Sequence, residues 1–215
     1  MKHLLAVLFL LMSINLVEAA CVVNYKKIPR TTTNEETLAR HRQQENYIQS
    51  RLKERSYSVI TIGDSIMGMW PNELLESMWG GPLLKAARGG STTLDWLKWL
   101  DEWDWGSNNP DIVHINIGRN DIGNGGCPQE VARSILELLT KIKTKWPGVS
   151  IMWQNITPGG EYLRLKDFEI RETNRLVLAQ VKSINDLQIL DAWSIIYNWC
   201  NGYRRCGAFY PGDDY

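Results

Sequence analysis

Ser65 follows directly on the apolar run Val59-Ile60-Thr61-Ile62, which breaks at Gly63-Asp64. A serine just past the end of a strand, with a helix starting behind it, is presented at the mouth of a sheet. The N–H groups of that helix start stabilise negative charge there. A second block, Ala87-Arg88-Gly89-Gly90-Ser91-Thr92-Thr93, brings two glycines, which let backbone N–H groups approach a reacting oxygen with no side chain in the way. A third, Ile117-Gly118-Arg119-Asn120-Asp121, ends another apolar run with an asparagine whose amide can be aimed at the same oxygen. A serine hydroxyl needs a base within hydrogen-bond reach to attack an acyl carbon at neutral pH, and the tetrahedral adduct needs donors for its oxyanion. Taken singly, each block also fits a plainer role: a capped strand-to-helix turn, a tight glycine turn, an Asx turn.

The elements that must position these blocks follow from the hydrophobic pattern. Short apolar runs at 58–62, 83–87, 111–117, 149–153 and 187–190 read as strands. Helical stretches at about 72–79, 92–103, 128–146 and 166–185 lie between them. Such alternation specifies a parallel sheet covered on both faces, with active groups gathered at the carboxyl ends of the strands. Ahead of it, residues 35–55 hold no Gly or Pro and read as a solvated helix capped by Asn34, with Leu38, Tyr47, Ile48 and Leu52 as its apolar contacts. The organisation is thus a leader over 1–19, a helical lead-in over 20–56 and one α/β domain over 57–215.

The three blocks, in this order and at three successive strand ends, resemble the SGNH, or GDSL, hydrolase family over roughly residues 57–215. The resemblance implies a three-layer α/β/α flavodoxin-like fold with a mostly parallel five-stranded sheet. It also implies a secreted carboxylic-ester hydrolase with Ser65 as nucleophile, acting through an acyl-enzyme on a small acyl ester such as an O-acetylated sugar or a lysolipid. Ser65 N–H, Gly90 N–H and the Asn120 side chain would form the oxyanion hole. Gly90 is chosen over Gly89 because Gly-Ser-Thr is similar to the family's Gly-Asp-Thr. Acyl transfer to another alcohol would use the same site.

The family's base lies in a final Asp-x-x-His block. Phe209-Tyr210-Pro211-Gly212-Asp213-Asp214-Tyr215 is similar to the approach to that block, with Asp214 or Asp213 as its aspartate, and the histidine would fall one or two residues past Tyr215. The expectation is a longer protein of which this is a truncated copy, the fold's usual last helix being absent as well. The alternative is an extracellular carbohydrate-binding protein that kept the fold and lost the base. The sequence offers two other histidines after the leader. His41 is expected to be solvated on the lead-in helix, and His114, roughly 13 Å below its strand end, to be buried and structural.

Composition narrows the remaining classes. Lys plus Arg equals Asp plus Glu at 24 each, which gives no electrostatic basis for nucleic-acid capture. The apolar stretch Leu4–Val17, closed by Val17-Glu18-Ala19, reads as a signal peptide cleaved after Ala19. It is shorter than the roughly 20 residues of a membrane span, so the mature chain is expected to carry none and to be secreted or periplasmic. Export would oxidise the four cysteines. The short loop favours Cys200 with Cys206, leaving Cys21 with Cys127, and pairing of Cys127 with one of the late cysteines is the alternative. No metal or nucleotide cofactor is expected, since neither ligand spacing nor a Gly-x-x-x-x-Gly-Lys loop occurs. Of the ten tryptophans, Trp96, Trp99 and Trp103 recur at helical spacing and are expected in the core. Trp70 and Trp105 fall nearer loop edges, where they can line a sugar or acyl cleft. Asn155-Ile156-Thr157 has the form of a glycosylation sequon, followed by Pro158.

Overall fold

The computed structural model describes residues 34–158 and 166–199. The elements run α1 (Glu35–Glu54), β1 (Val59–Gly63), α2 (Ser65–Met69), α3 (Asn72–Trp79), β2 (Leu83–Ala87), α4 (Thr93–Glu102), β3 (Ile112–Asn116), α5 (Arg119–Gly123), α6 (Pro128–Lys145), β4 (Ser150–Gln154), α7 (Asp167–Val181), β5 (Leu187–Leu190) and α8 (Ala192–Trp199). The sheet is five-stranded and parallel throughout, in the order β2-β1-β3-β4-β5. This is the three-layer α/β arrangement expected from the sequence. The order reverses beside β1, and at such a switch point the loops leaving β1 and β3 diverge and open a crevice.

Every residue of β1 is buried, as a central strand with helices on both faces requires. α6 opens with Pro128 at its first turn and buries Val131, Ile135, Leu138, Leu139 and Ile142 as one stripe. The tryptophans of α4 and its C-cap follow the same logic: Trp96, Trp99 and Trp103 are buried and stack or meet edge-on. Trp105 joins them, 4% exposed with its indole N–H donated to the Trp99 carbonyl, so it lines no cleft. The hydrophobic cluster that continues from Trp105 to Trp146 outweighs the loop-edge position of this residue.

α1 departs from a purely solvated helix. Asn34 caps it through Glu36 and Thr37 N–H, and Ile48 and Leu52 are buried as expected. Tyr47, however, is 59% exposed. α8 follows the last strand, where no helix was expected; Asp191 accepts from Ser194 N–H in its first turn. Asn155 is 2% exposed, and its side chain bonds Asp191 and Trp193 N–H, so the sequon offers no accessible acceptor. The expected leader, Asp214 and three of the four cysteines lie outside the described residues. Among the described residues, no helix is long and apolar enough to cross a membrane, and no group of three or more potential metal ligands occurs.

Candidate active site

Gly63 ends β1 because nothing larger fits. A Cβ there would lie 2.5 Å from the Met67 Cβ and 2.7 Å from the Asn116 carbonyl oxygen. The chain then turns at Asp64, whose carboxylate caps α2 by accepting from Ile66 N–H at 2.8 Å. Ser65, the first residue of α2, is exposed, and its hydroxyl has no hydrogen-bond partner among the described residues. Asp64 itself is buried. Burial pushes its carboxyl up to about 6, with the Ile66 N–H and the Arg119 charge pulling the other way.

The glycine block leaves β2 beside it. Arg88 N–H donates to the Gly63 carbonyl, and Ser91 N–H closes a turn onto the Arg88 carbonyl, both at 3.1 Å. Gly90 sits third in that turn with φ +69°, the position and sign for which a type II turn requires glycine. Gly89 N–H is taken by the Gln44 side-chain oxygen at 3.3 Å, whereas Gly90 N–H has no partner among the described residues. This difference favours Gly90 as the available donor. The Ser91 hydroxyl donates to the Gly63 carbonyl and accepts from the Trp96 indole N–H, fastening the loop to the end of β1.

After β3, Gly118 takes φ +114°, and a Cβ on it would come within 2.7 Å of the Ile156 side chain. Asn120 follows in the first turn of α5. Its amide nitrogen donates to the Ser91 carbonyl at 2.9 Å and to the second Asp64 oxygen at 3.3 Å. One side chain thus ties together all three blocks. Asp121 fixes the next layer, accepting from Thr93 N–H at 3.1 Å and from the Thr93 hydroxyl at 2.5 Å. Complete burial pushes its carboxyl up to about 7 against the pull of the Thr93 N–H.

Helix α1 contributes what the sequence reading missed. Arg88 is 1% exposed and lies 3.2 Å from Glu45, 3.1 Å from Asp95 and 3.0 Å from the His41 Nδ1, with its guanidinium over the Trp99 ring. His41 is therefore not a solvated helix residue. Its ring stands close enough to Gly90 that a Cβ added there would lie 3.6 Å from the His41 Cε1. The signal was present in spacing: His41, Gln44, Glu45, Ile48 and Leu52 fall at i, i+3, i+4, i+7 and i+11, the inward stripe of one helix. Three polar residues at its head disguised it. His114 is buried as expected. Its Nε2 meets the Gln154 side-chain oxygen at 3.1 Å, Trp70 and Trp79 pack on its ring, and burial lowers its pKa to about 4.

Depressions on the surface of the described residues differ in their relation to the strand ends. One of about 1120 Å³ lies over α6, beside Leu100, Arg133, Glu137 and Lys141, and includes none of the strand-end residues. A smaller cleft of about 320 Å³ lies between α1, α2 and β2.

A family model described as GDSL-like Lipase/Acylhydrolase matches residues 60–213. No curated protein matches the chain. Among solved structures, a Streptococcus pneumonia protein superposes with TM-score 0.62 at 17% identity, covering 86% of this chain and 82% of its own. A member of the lipolytic G-D-S-L family from Veillonella parvula gives TM-score 0.56 at 17% identity, over 66% of this chain and 81% of its own. A mutant of the Geobacillus acetyl-xylooligosaccharide esterase Axe2 gives 0.53 at 17% identity, over 67% and 80%.

Proposed function

The chain belongs to the GDSL-like lipase/acylhydrolase family, and from that premise we propose that it is an exported carboxylic-ester hydrolase with Ser65 as nucleophile. The observation that carries this reading is the convergence of an exposed Ser65 hydroxyl, a Gly90 N–H without a partner among the described residues and the Asn120 amide at three strand ends, held by the Asn120 bonds to Asp64 and Ser91. Ser65 Oγ attacks the acyl carbon, and the carbonyl oxygen takes up negative charge. Ser65 N–H, Gly90 N–H and Asn120 Nδ2 receive it, Asn120 releasing its longer bond to Asp64 to do so. The C–O bond to the alcohol breaks, the alcohol leaves with the proton taken from Ser65, and water then cleaves the acyl-serine.

The proton carrier is the role that residues 34–158 and 166–199 leave open. His41 is bound to Arg88, and His114 is buried within the sheet. Asp64 is committed to Ile66 and Asn120. Asp214, the proposed aspartate of the family's Asp-x-x-His block, lies outside the described residues. Small acyl esters such as O-acetylated sugars or lysolipids are the proposed substrates; the similar fold of an acetyl-xylooligosaccharide esterase favours the sugar ester.

Hydrolysis of acetylated xylo-oligosaccharides and 4-nitrophenyl acetate by the wild type and Ser65→Ala tests the reading. Turnover by the wild type alone supports it. Turnover equal in the two removes Ser65 from the mechanism. Sugar binding without turnover in either favours the second reading, a binding protein without a base. The position of both described histidines, engaged elsewhere, is what motivates that reading.

A further inference from the structure

We propose that the cleft between α1, α2 and β2 is the subsite for the alcohol half of the ester, and that this half is a saccharide ring. The inference rests on Ser65 being the nucleophile. The cleft is lined by Gln43, Gln44, Tyr47, Ile48, Gly68, Lys85 and Ala87. Gly68 is three residues beyond Ser65 on the same short helix, so it lies on the same face about one 5.4 Å turn away. Ala87 is the last residue of β2, two before the glycine pair of the candidate oxyanion loop. Gln44 belongs to both places, since its side-chain oxygen holds Gly89 N–H.

The lining chemistry selects the ligand. Gln44 spends its oxygen on Gly89 and keeps its amide N–H groups for a ligand. Lys85 donates to the Gly68 and Trp70 carbonyls, both at 3.0 Å, which uses two of the three ammonium donors. Gln43 adds an exposed amide at the rim. Above them stands Tyr47, a ring 59% exposed on a helix whose neighbouring Ile48 is buried. An open aromatic face beside amide and ammonium donors suits a ring with an apolar C–H face and hydroxyl edges. No carboxylate lines the cleft among the described residues.

The cleft is open because its floor residues are small. A Cβ built on Gly68 meets only the Ala87 Cβ, at 3.8 Å, and Gly68 has no positive φ. A larger side chain is therefore accommodated without strain and occupies the space a sugar would take.

The test reads binding, so it does not depend on turnover. Saturation-transfer NMR with methyl β-D-xylopyranoside and xylobiose, and with monomeric lysophosphatidylcholine, is performed on the wild type, Tyr47→Ala, Gly68→Leu and Ser65→Ala. The sugars are expected to bind the wild type and Ser65→Ala alike, about tenfold more weakly to Tyr47→Ala and undetectably to Gly68→Leu. Thermal midpoints of Tyr47→Ala and Gly68→Leu equal to that of the wild type are expected, so that a loss of binding is read at the cleft and not as a loss of the fold. Absence of sugar binding by the wild type, equal binding by wild type and both cleft variants, or preference for the lysolipid overturns the subsite. Sugar binding that responds to Tyr47 and Gly68 in a protein whose turnover ignores Ser65 refutes the nucleophile instead, and the two failures remain distinct.

Discussion

Replacing Asp121 with asparagine separates the electrostatics of this buried residue from its role as a tether. The carboxyl is fully enclosed and is pushed from 3.8 to about 7 by loss of hydration. Between those values the folded chain holds a proton that the unfolded chain releases. Stability therefore declines as pH rises from about 4 towards 7 and levels off above. The displacement corresponds to on the order of 4 kcal/mol. Asparagine keeps an oxygen for Thr93 N–H and offers its amide to the Thr93 hydroxyl, which can accept, and it does not ionise. Relative to wild type, Asp121→Asn should thus gain up to about 4 kcal/mol between pH 4 and pH 8. Urea denaturation across that range measures the difference. Taking the difference between the two proteins also removes Asp64, raised to about 6, and His114, lowered to about 4, which act on stability with opposite signs. A stability difference that stays constant from pH 4 to pH 8 would refute the reasoning.

Other outcomes follow from the same contacts. Arg88→Met leaves Glu45 and Asp95 without their buried partner and should lower stability by about 3–5 kcal/mol in urea denaturation; a loss below about 1 kcal/mol would show the pair to be solvated. Gly118→Ala must hold φ +114° and press on Ile156, and should cost about 1–3 kcal/mol, read as a lowered thermal midpoint. Asn120→Ala should reduce kcat by about 10²–10³ with little change in KM, as loss of one oxyanion donor does; an equal loss in KM would assign Asn120 to substrate binding.

The fold was largely legible because the sheet is parallel and buried. Its strands read as continuous apolar runs, and the observed ends of β1, β3 and β4 differ from the expected ones by a residue or so. The three blocks were legible for a related reason: Gly63, Gly90 and Gly118 stand where close approach or positive φ excludes a side chain. What escaped was long-range. The stripe of α1 that begins with His41, Gln44 and Glu45 looks solvated until Arg88 is known to be buried against it. A buried arginine leaves no mark in local periodicity. Tyr47 was misplaced, and Trp105 left undecided, for the mirror-image reason. Trp105 stands in a loop after α4 and Tyr47 within α1, and only tertiary packing decides that Trp105 turns inward and Tyr47 outward. The short helix α5 was hidden because five residues make too little of a periodic pattern.

The central claim is that Ser65 is the nucleophile of an ester hydrolase, and the most direct measurement compares 4-nitrophenyl acetate turnover by the wild type and by Ser65→Ala. Wild-type turnover is expected to fall to the uncatalysed background in Ser65→Ala, with the fold and the thermal midpoint preserved. Turnover of equal rate in the two proteins would contradict it.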